Sequence, residues 1–215
     1  MNKSIRIIAL LLFTSVIISC ESKPKYEQKF AEEKRIITCN GFDDELLKEI
    51  TYRFEEFAET NYDFRNQDIL DVSIGNFLFN SSYGYLPYAE RFDEEMVSFI
   101  ASLKNIEELW QEKNGETYLN TKHPVVQCLV DQMPEGTFNN AFKALVESNT
   151  IRHASMATLI RGEFPKVSEQ NAVRAYIALD IFFARVISLD YEQPKAKLIE
   201  YMTDYNKARA AELSN

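Results

Sequence analysis

The sequence predicts an all-α fold, an irregular bundle of about seven or eight helices, with an irregular α-solenoid as the alternative. Three observations carry this. The 215 residues hold 15 Phe and 11 Tyr but only 6 Gly, a balance that suits aromatic helix packing better than the glycine-rich corners of a β sandwich. Apolar residues recur at helical steps of three and four through most of the chain. The segments between these runs are short, no pair of alternating strands is evident, and no period of about 34 to 45 residues marks a repeat array.

The elements follow in order. Asp43 caps a helix to about Thr60, with Phe42 and Leu47 placed as a hydrophobic staple and Leu46, Ile50, Phe54 and Phe57 as its apolar stripe. A second helix, about Gln67 to Asn80, carries Ile69, Leu70, Ile74, Phe77 and Leu78 around Gly75. A third is expected from about Glu90 to Lys113, because Phe92, Met96, Phe99, Leu103, Ile106 and Trp110 alternate steps of four and three; Asn114-Gly115 would end it. Pro124 opens a fourth over Val125, Val126, Leu129 and Val130, which Pro134 and Gly136 break. Thr137 starts a fifth through Phe138, Phe142, Leu145 and Val146, and a short sixth covers about Ile151 to Arg161. Ser168 would cap a long helix lined by Ala172, Tyr176, Leu179, Phe183 and Val186, and a last one begins near Gln193.

Net charge is −9. Without the first nineteen residues, which hold Lys3 and Arg6 and no acid, 22 basic residues face 33 acidic ones. No basic footprint for nucleic acid exists, and an acidic surface does not coat anionic headgroups by charge.

The first twenty residues read as an export signal. Lys3 and Arg6 precede an apolar run from Ile7 to Ile18, too short to span a bilayer. Ile17-Ile18-Ser19-Cys20 then resembles the lipobox of bacterial lipoproteins. The resemblance implies diacylglyceryl attachment to the Cys20 thiol, cleavage that leaves Cys20 first, and a membrane-anchored protein outside the cytoplasm; the Lys- and Glu-containing stretch after Cys20 is similar to surface lipoproteins of Bacteroidota, so the outer membrane of a Gram-negative bacterium is the expected location. Residues 1–19 are then the signal peptide, 20–40 a Lys- and Glu-rich lipidated tether with Pro24, and 41–215 a single helical domain.

Cys39 and Cys128 remain. Outside the cytoplasm they can bridge across a loop of about 90 residues. They can equally be two buried apolar thiols. Neither has metal-ligand spacing, and no metal or other cofactor is expected. His123 and His153 are the two histidines; His123 is placed to cap the Pro124 helix. Glu55 and Glu59 share a helix face, and such pairs serve acid–base or metal chemistry but more often form a solvated surface. No GxSxG elbow, P-loop, GxGxxG or EF-hand loop occurs.

Candidate ligand contacts are Tyr83, Tyr85 and Tyr88, three rings in one connector, and Arg152 with His153. Arg152, Arg161 and Arg174 could gather into an anion site. The leading functional expectation is a non-enzymatic, membrane-tethered domain that binds an envelope protein or glycan. The alternatives are an envelope hydrolase of unfamiliar type and an immunity-type protective lipoprotein.

Overall fold

The computed structural model describes residues 26–82, 92–106, 108–113, 115–148, 159 and 167–188. Within them the protein is mostly helical. Helix α1 is Asp44–Tyr62, α2 Leu70–Ser82 and α3 Glu94–Leu103. A hairpin follows, β1 Trp110–Lys113 and β2 Glu116–Leu119, then α4 Pro124–Gln132 and α5 Thr137–Ser148. After a 3-10 turn at Val167–Glu169, a helical rod runs without a break through Asn171–Tyr176, a π-helical stretch Ile177–Phe183, and Ala184–Ile187. This rod is designated α6. The helices expected from about Ile151 and from about Gln193 lie outside the described residues.

Capping sets the start of α1 as the sequence implies, and sets the start of α3 at a residue the sequence reading did not single out. The Asp43 carboxylate accepts from the backbone amides of Glu45 and Leu46, and that of Asp93 from Met96. The expected start near Glu90 therefore moves to Asp93. In α2 the helix begins at Leu70, since Asn66 and Asp68 both adopt positive φ in the preceding turn.

The rod α6 is the centre of the molecule. Every residue of its π-helical stretch is buried, as a helix apolar on all sides must be. Phe182 stacks among Phe54, Phe57, Phe77 and Phe92, with ring centroids 4.6–6.0 Å apart. Phe183 packs edge-on to Phe99 of α3, and Tyr176 to Phe142 of α5. Helices α1 and α4 and strand β2 all pack on the rod.

Three expectations are corrected. The long helix to Lys113 stops at Leu103, and Trp110 turns back so that its indole N–H donates to the Leu103 carbonyl at 2.7 Å. Residues 110–113 pair antiparallel with 116–119, Trp110 opposite Leu119. Gly115 sits at φ +79 in the two-residue connection, so Asn114-Gly115 is the signature of a hairpin, not of a helix end. Burial of Leu109 and Leu119 overrides the helical spacing.

Ser168 does not cap α6. Its amide and hydroxyl both donate to the Asp71 carboxylate at 2.7 Å, tying the 3-10 turn to α2, and Gln170 stands at the N-cap with no side-chain bond.

The stretch 26–40, expected as a loose tether, lies packed along α1. The Lys29 ammonium meets Glu56 at 2.6 Å, and the carbonyls of Glu27 and Ala31 accept from Arg53 and Lys48. Ile36, Ile37 and Cys39 belong to the core. The folded body thus begins by Tyr26, whose ring is edge-on to Phe99 at 5.4 Å.

Truncating the Phe182 ring, which touches Phe183 as well as Phe54, Phe57, Phe77 and Phe92, should cost most. Phe182→Ala is expected to lower unfolding free energy by about 3–5 kcal/mol, whereas Asp43→Ala, which removes one cap, should cost about 1 kcal/mol. Urea denaturation of both variants checks the ranking.

Candidate functional site

A concavity forms where the N-terminal segment crosses from α1 to α4. Four interactions hold that crossing. The Cys39 amide donates to the Asp44 carboxylate at 3.0 Å. Cys39 and Cys128 are joined by a disulfide, Cα atoms 5.7 Å apart. The Gln132 side-chain amide donates to the Thr38 carbonyl at 3.1 Å, and that of Asn171 to the Ile36 carbonyl at 2.7 Å. Between these supports lies a cleft of about 290 Å³ lined by Ile36, Ile37, Gln132, Pro134, Gln170 and Asn171, with Glu169 and Ala172 beside them. Its walls pair apolar surface with neutral amides and bear a single carboxylate. Such a lining recognises uncharged polar ligands by shape and a few hydrogen bonds.

A charged relay stands behind the cleft. Asn171 accepts from Arg174 at 2.6 Å, and Arg174 donates to Glu55 at 2.7 Å. Glu55 is 5% exposed. Burial pushes its carboxyl up to about 7, with Arg174 pulling it down and Glu59 adding to the rise. The Glu59 carboxyl is raised too, by burial and by Asp68, Asp63 and Glu56. Arg174 is therefore committed to Glu55, and an anion there would have to displace a bonded carboxylate. Arg152 and Arg161 lie outside the described residues. Tyr83, Tyr85, Tyr88, His153 and Cys20 lie outside them as well.

His123 has a structural task. Its Nδ1 accepts from the Val125 amide at 3.2 Å at the start of α4, and its ring is edge-on to Phe42 at 5.7 Å. Burial lowers its pKa, which keeps the ring neutral and able to accept that bond. It lines neither this cleft nor a shallower groove of about 150 Å³ bordered by Lys29, Arg53, Glu56, Asp93 and Glu95. Among the described residues no group of three or more His, Cys, Asp or Glu is arranged to hold a metal.

The sequence reading missed one polar set, at Asp180, Tyr176 and Arg185 on α6. Asp180 is 2% exposed. Burial pushes its carboxyl up to about 7, opposed by hydrogen bonds from the Tyr176 hydroxyl and the Leu119 backbone and by the charge of Arg185. Arg185 donates to the Ser81 hydroxyl at 2.8 Å, reaching α2. The available signal was a lone acid within the apolar run Ile177–Phe183. A buried carboxylate that fastens the end of β2 to the rod is the reading this geometry supports.

Compared with known proteins, the chain matches no protein-family model, no curated protein and no solved structure. The described residues define a mostly helical, disulfide-bridged structure with one small hairpin among them.

Two measurements bear on these sites. Replacing Cys39 and Cys128 together by Ala frees a loop of 89 residues' separation, and the loss expected from chain entropy is about 4–5 kcal/mol; thermal melts with and without reductant should show the wild type falling to the variant's level. Asp180 has a folded pKa above its unfolded one, so the folded state retains a proton that the unfolded state has released. That contribution is present below about pH 4 and is lost as pH rises toward 7. Asp180→Asn should therefore gain stability relative to wild type across that window, read as a pH series of urea midpoints.

Proposed function

We propose that this chain is a lipid-anchored protein of the bacterial cell envelope whose helical domain binds an uncharged partner, protein or glycan, without catalysing a reaction. The observation that carries the reading is the Cys39–Cys128 bridge. Disulfides form and persist in oxidising compartments and are rare in the cytosol, so the bridge agrees with the export signal and with acylation of Cys20. Two acyl chains bury enough methylenes, at about 0.8 kcal/mol each, to hold a protein on a membrane stably. No described helix is long and apolar enough to cross a membrane, so the lipid is the anchor this reading requires.

The cleft beside the bridge supplies the binding chemistry. Gln132, Gln170 and Asn171 offer amide donors and acceptors over Ile36, Ile37 and Pro134, a lining suited to a sugar face or a peptide backbone. The net acidic surface disfavours nucleic acid. The full bundle of seven or eight helices belongs to the same proposal, as do Tyr83, Tyr85 and Tyr88 in the connector after α2 as a second contact.

Metabolic labelling with a palmitate analogue tests the anchor. Wild type should take up label and partition into detergent, and Cys20→Ser should do neither; a Cys20→Ser variant that still does both overturns it. For the cleft, Gln170→Trp fills the cavity with an aromatic ring. Retention of envelope proteins and purified glycans on immobilised protein should fall at least about tenfold, the equivalent of 1.4 kcal/mol. Unchanged retention would move the binding surface elsewhere, and Tyr83, Tyr85 and Tyr88 replaced together by Ala are the next variant.

A further inference from the structure

We infer that the Cys39–Cys128 bridge is a redox latch on the cleft: a dithiol opens it in the folded protein, and the wall formed by Ile36 and Ile37 is then free to lift. The inference concerns regulation of the cleft and rests on the binding role proposed for it above.

The two sulfurs stand in different surroundings. Cys39 is 2% exposed, whereas Cys128 on α4 is only partly buried. An incoming thiolate therefore reaches the Cys128 sulfur first. Its attack forms a bond to Cys128 Sγ, and Cys39 Sγ departs with the electron pair of the broken bond and takes up a proton. The second thiol of the dithiol, as its thiolate, then attacks the dithiol sulfur of this mixed disulfide. Cys128 Sγ is expelled and is protonated in turn. The dithiol is oxidised by two electrons to a disulfide, the bridge is reduced to two thiols, and the two protons given up by the dithiol end on the cysteines. The Gln132 side-chain amide donates to Cys128 Sγ at 3.0 Å, and such a bond favours the departing thiolate.

The bridge governs the wall because of what else holds it. Among the described residues, 34–38 make no backbone–backbone hydrogen bond. The carbonyls of Lys34, Ile36 and Thr38 accept single bonds from the side chains of Tyr52, Asn171 and Gln132, and the half-exposed Arg35 pairs with Asp44 and Glu45. Beyond these ties only the burial of Ile36 and Ile37 keeps the segment down. While the bond is closed, Cys39 cannot leave α4, and Ile37 two residues away cannot rise further than about 7 Å from it. Once the bond is open, that limit is gone. The opening stays local. Upstream, the carbonyls of Glu27 and Ala31 are held by the buried Arg53 and Lys48. Downstream, α1 has its own cap at Asp43 and its own core contacts through Leu47 and Ile50. Segments of this kind open independently of the body that carries them.

The test uses the full-length protein with its isoleucine methyl groups labelled for NMR, and dithiothreitol as the dithiol. Without denaturant the reagent should reduce the bridge, read by alkylation of Cys39 and Cys128 and mass spectrometry of their peptides. The Ile36 and Ile37 methyl resonances should then shift or broaden, while those of the core residues Ile74, Ile100 and Ile181 stay in place. Trypsin should cut after Lys34 or Arg35 at least about tenfold faster in the reduced protein, and re-oxidation should reverse both changes. Cys39→Ala combined with Cys128→Ala should show the open signature with or without dithiothreitol. A bridge reduced only in urea overturns the latch, and so do Ile36 and Ile37 resonances that do not move on reduction. Loss of the Ile74, Ile100 and Ile181 resonances together with them also overturns it, since the bridge then holds the whole domain and not the wall. Retention of envelope proteins and purified glycans on the immobilised protein is read separately. Retention that is equal before and after reduction overturns the regulation and leaves the binding role intact. No retention by the oxidised protein overturns the binding role, whatever the methyl resonances do.

Discussion

The constraint on which the structure depends is that α6, from Ala175 onward, has no solvent-exposed face. From Ala175 to Ile187 every residue is buried, so the rod is stable only when other elements cover it on all sides. Burying a Phe or Leu side chain contributes about 1.5–3 kcal/mol, and this helix buries thirteen residues in succession. That requirement explains the arrangement of the rest. Helix α1 brings Phe54 and Phe57, α2 brings Phe77, α3 brings Phe99 and α5 brings Phe142. The hairpin is recruited for the same reason. Two strands of four residues are not stable alone, and β2 is kept by lying on the rod with Leu119 and Thr117 buried.

A rod so covered makes the remaining buried charges expensive, and each is answered locally. Arg53, 2% exposed, is bonded to Glu49 at 3.0 Å and to the Glu27 carbonyl, and its charge faces that of Glu95 at 2.8 Å, with the Phe99 ring 4.5 Å from its guanidinium. Lys48 is paired with Glu45 and bonded to the Ala31 carbonyl. Buried pairs of this kind add little net stability over an apolar alternative, but removing one partner leaves a charge stranded and costs several kcal/mol. Their consequence here is specificity. The N-terminal segment must lie along α1 in one register, because only that register presents the carbonyls of Glu27, Ala31 and Lys34 to Arg53, Lys48 and Tyr52.

This register also explains what the sequence left hidden. Apolar spacing, caps and Pro124 were enough to read α1, α4 and α5, and to place Ile74, Phe77, Phe99 and Leu103 in the core. The segment 26–35 escaped because it docks through backbone carbonyls and ion pairs, which leave no hydrophobic period. The hairpin escaped because Leu103, Ile106 and Trp110 fit a helix on spacing alone, and only tertiary burial of Leu109 selects the turn. Of the candidate site, the Cys39–Cys128 pairing was one of two open alternatives, since separation along the chain carries no distance. The cleft amides Gln132, Gln170 and Asn171 are spread over two elements and have no motif to mark them.

Placing the start of the folded body at Tyr26 joins these strands. A disulfide, a carbonyl ladder along α1 and the Asn171–Ile36 bond all act on the same fifteen residues. Those residues form one wall of the cleft at Ile36 and Ile37 and, at the other end, place the Tyr26 ring on Phe99. The bridge to Cys128 follows the wall by two residues and pins its C-terminal side to α4. It stops the segment from peeling away, because Cys39 cannot leave α4 while the bond is closed. The polar docking of the segment is individually weak and solvent-sensitive, so the covalent bond is what holds a polar-docked strap in place as a wall of the cleft.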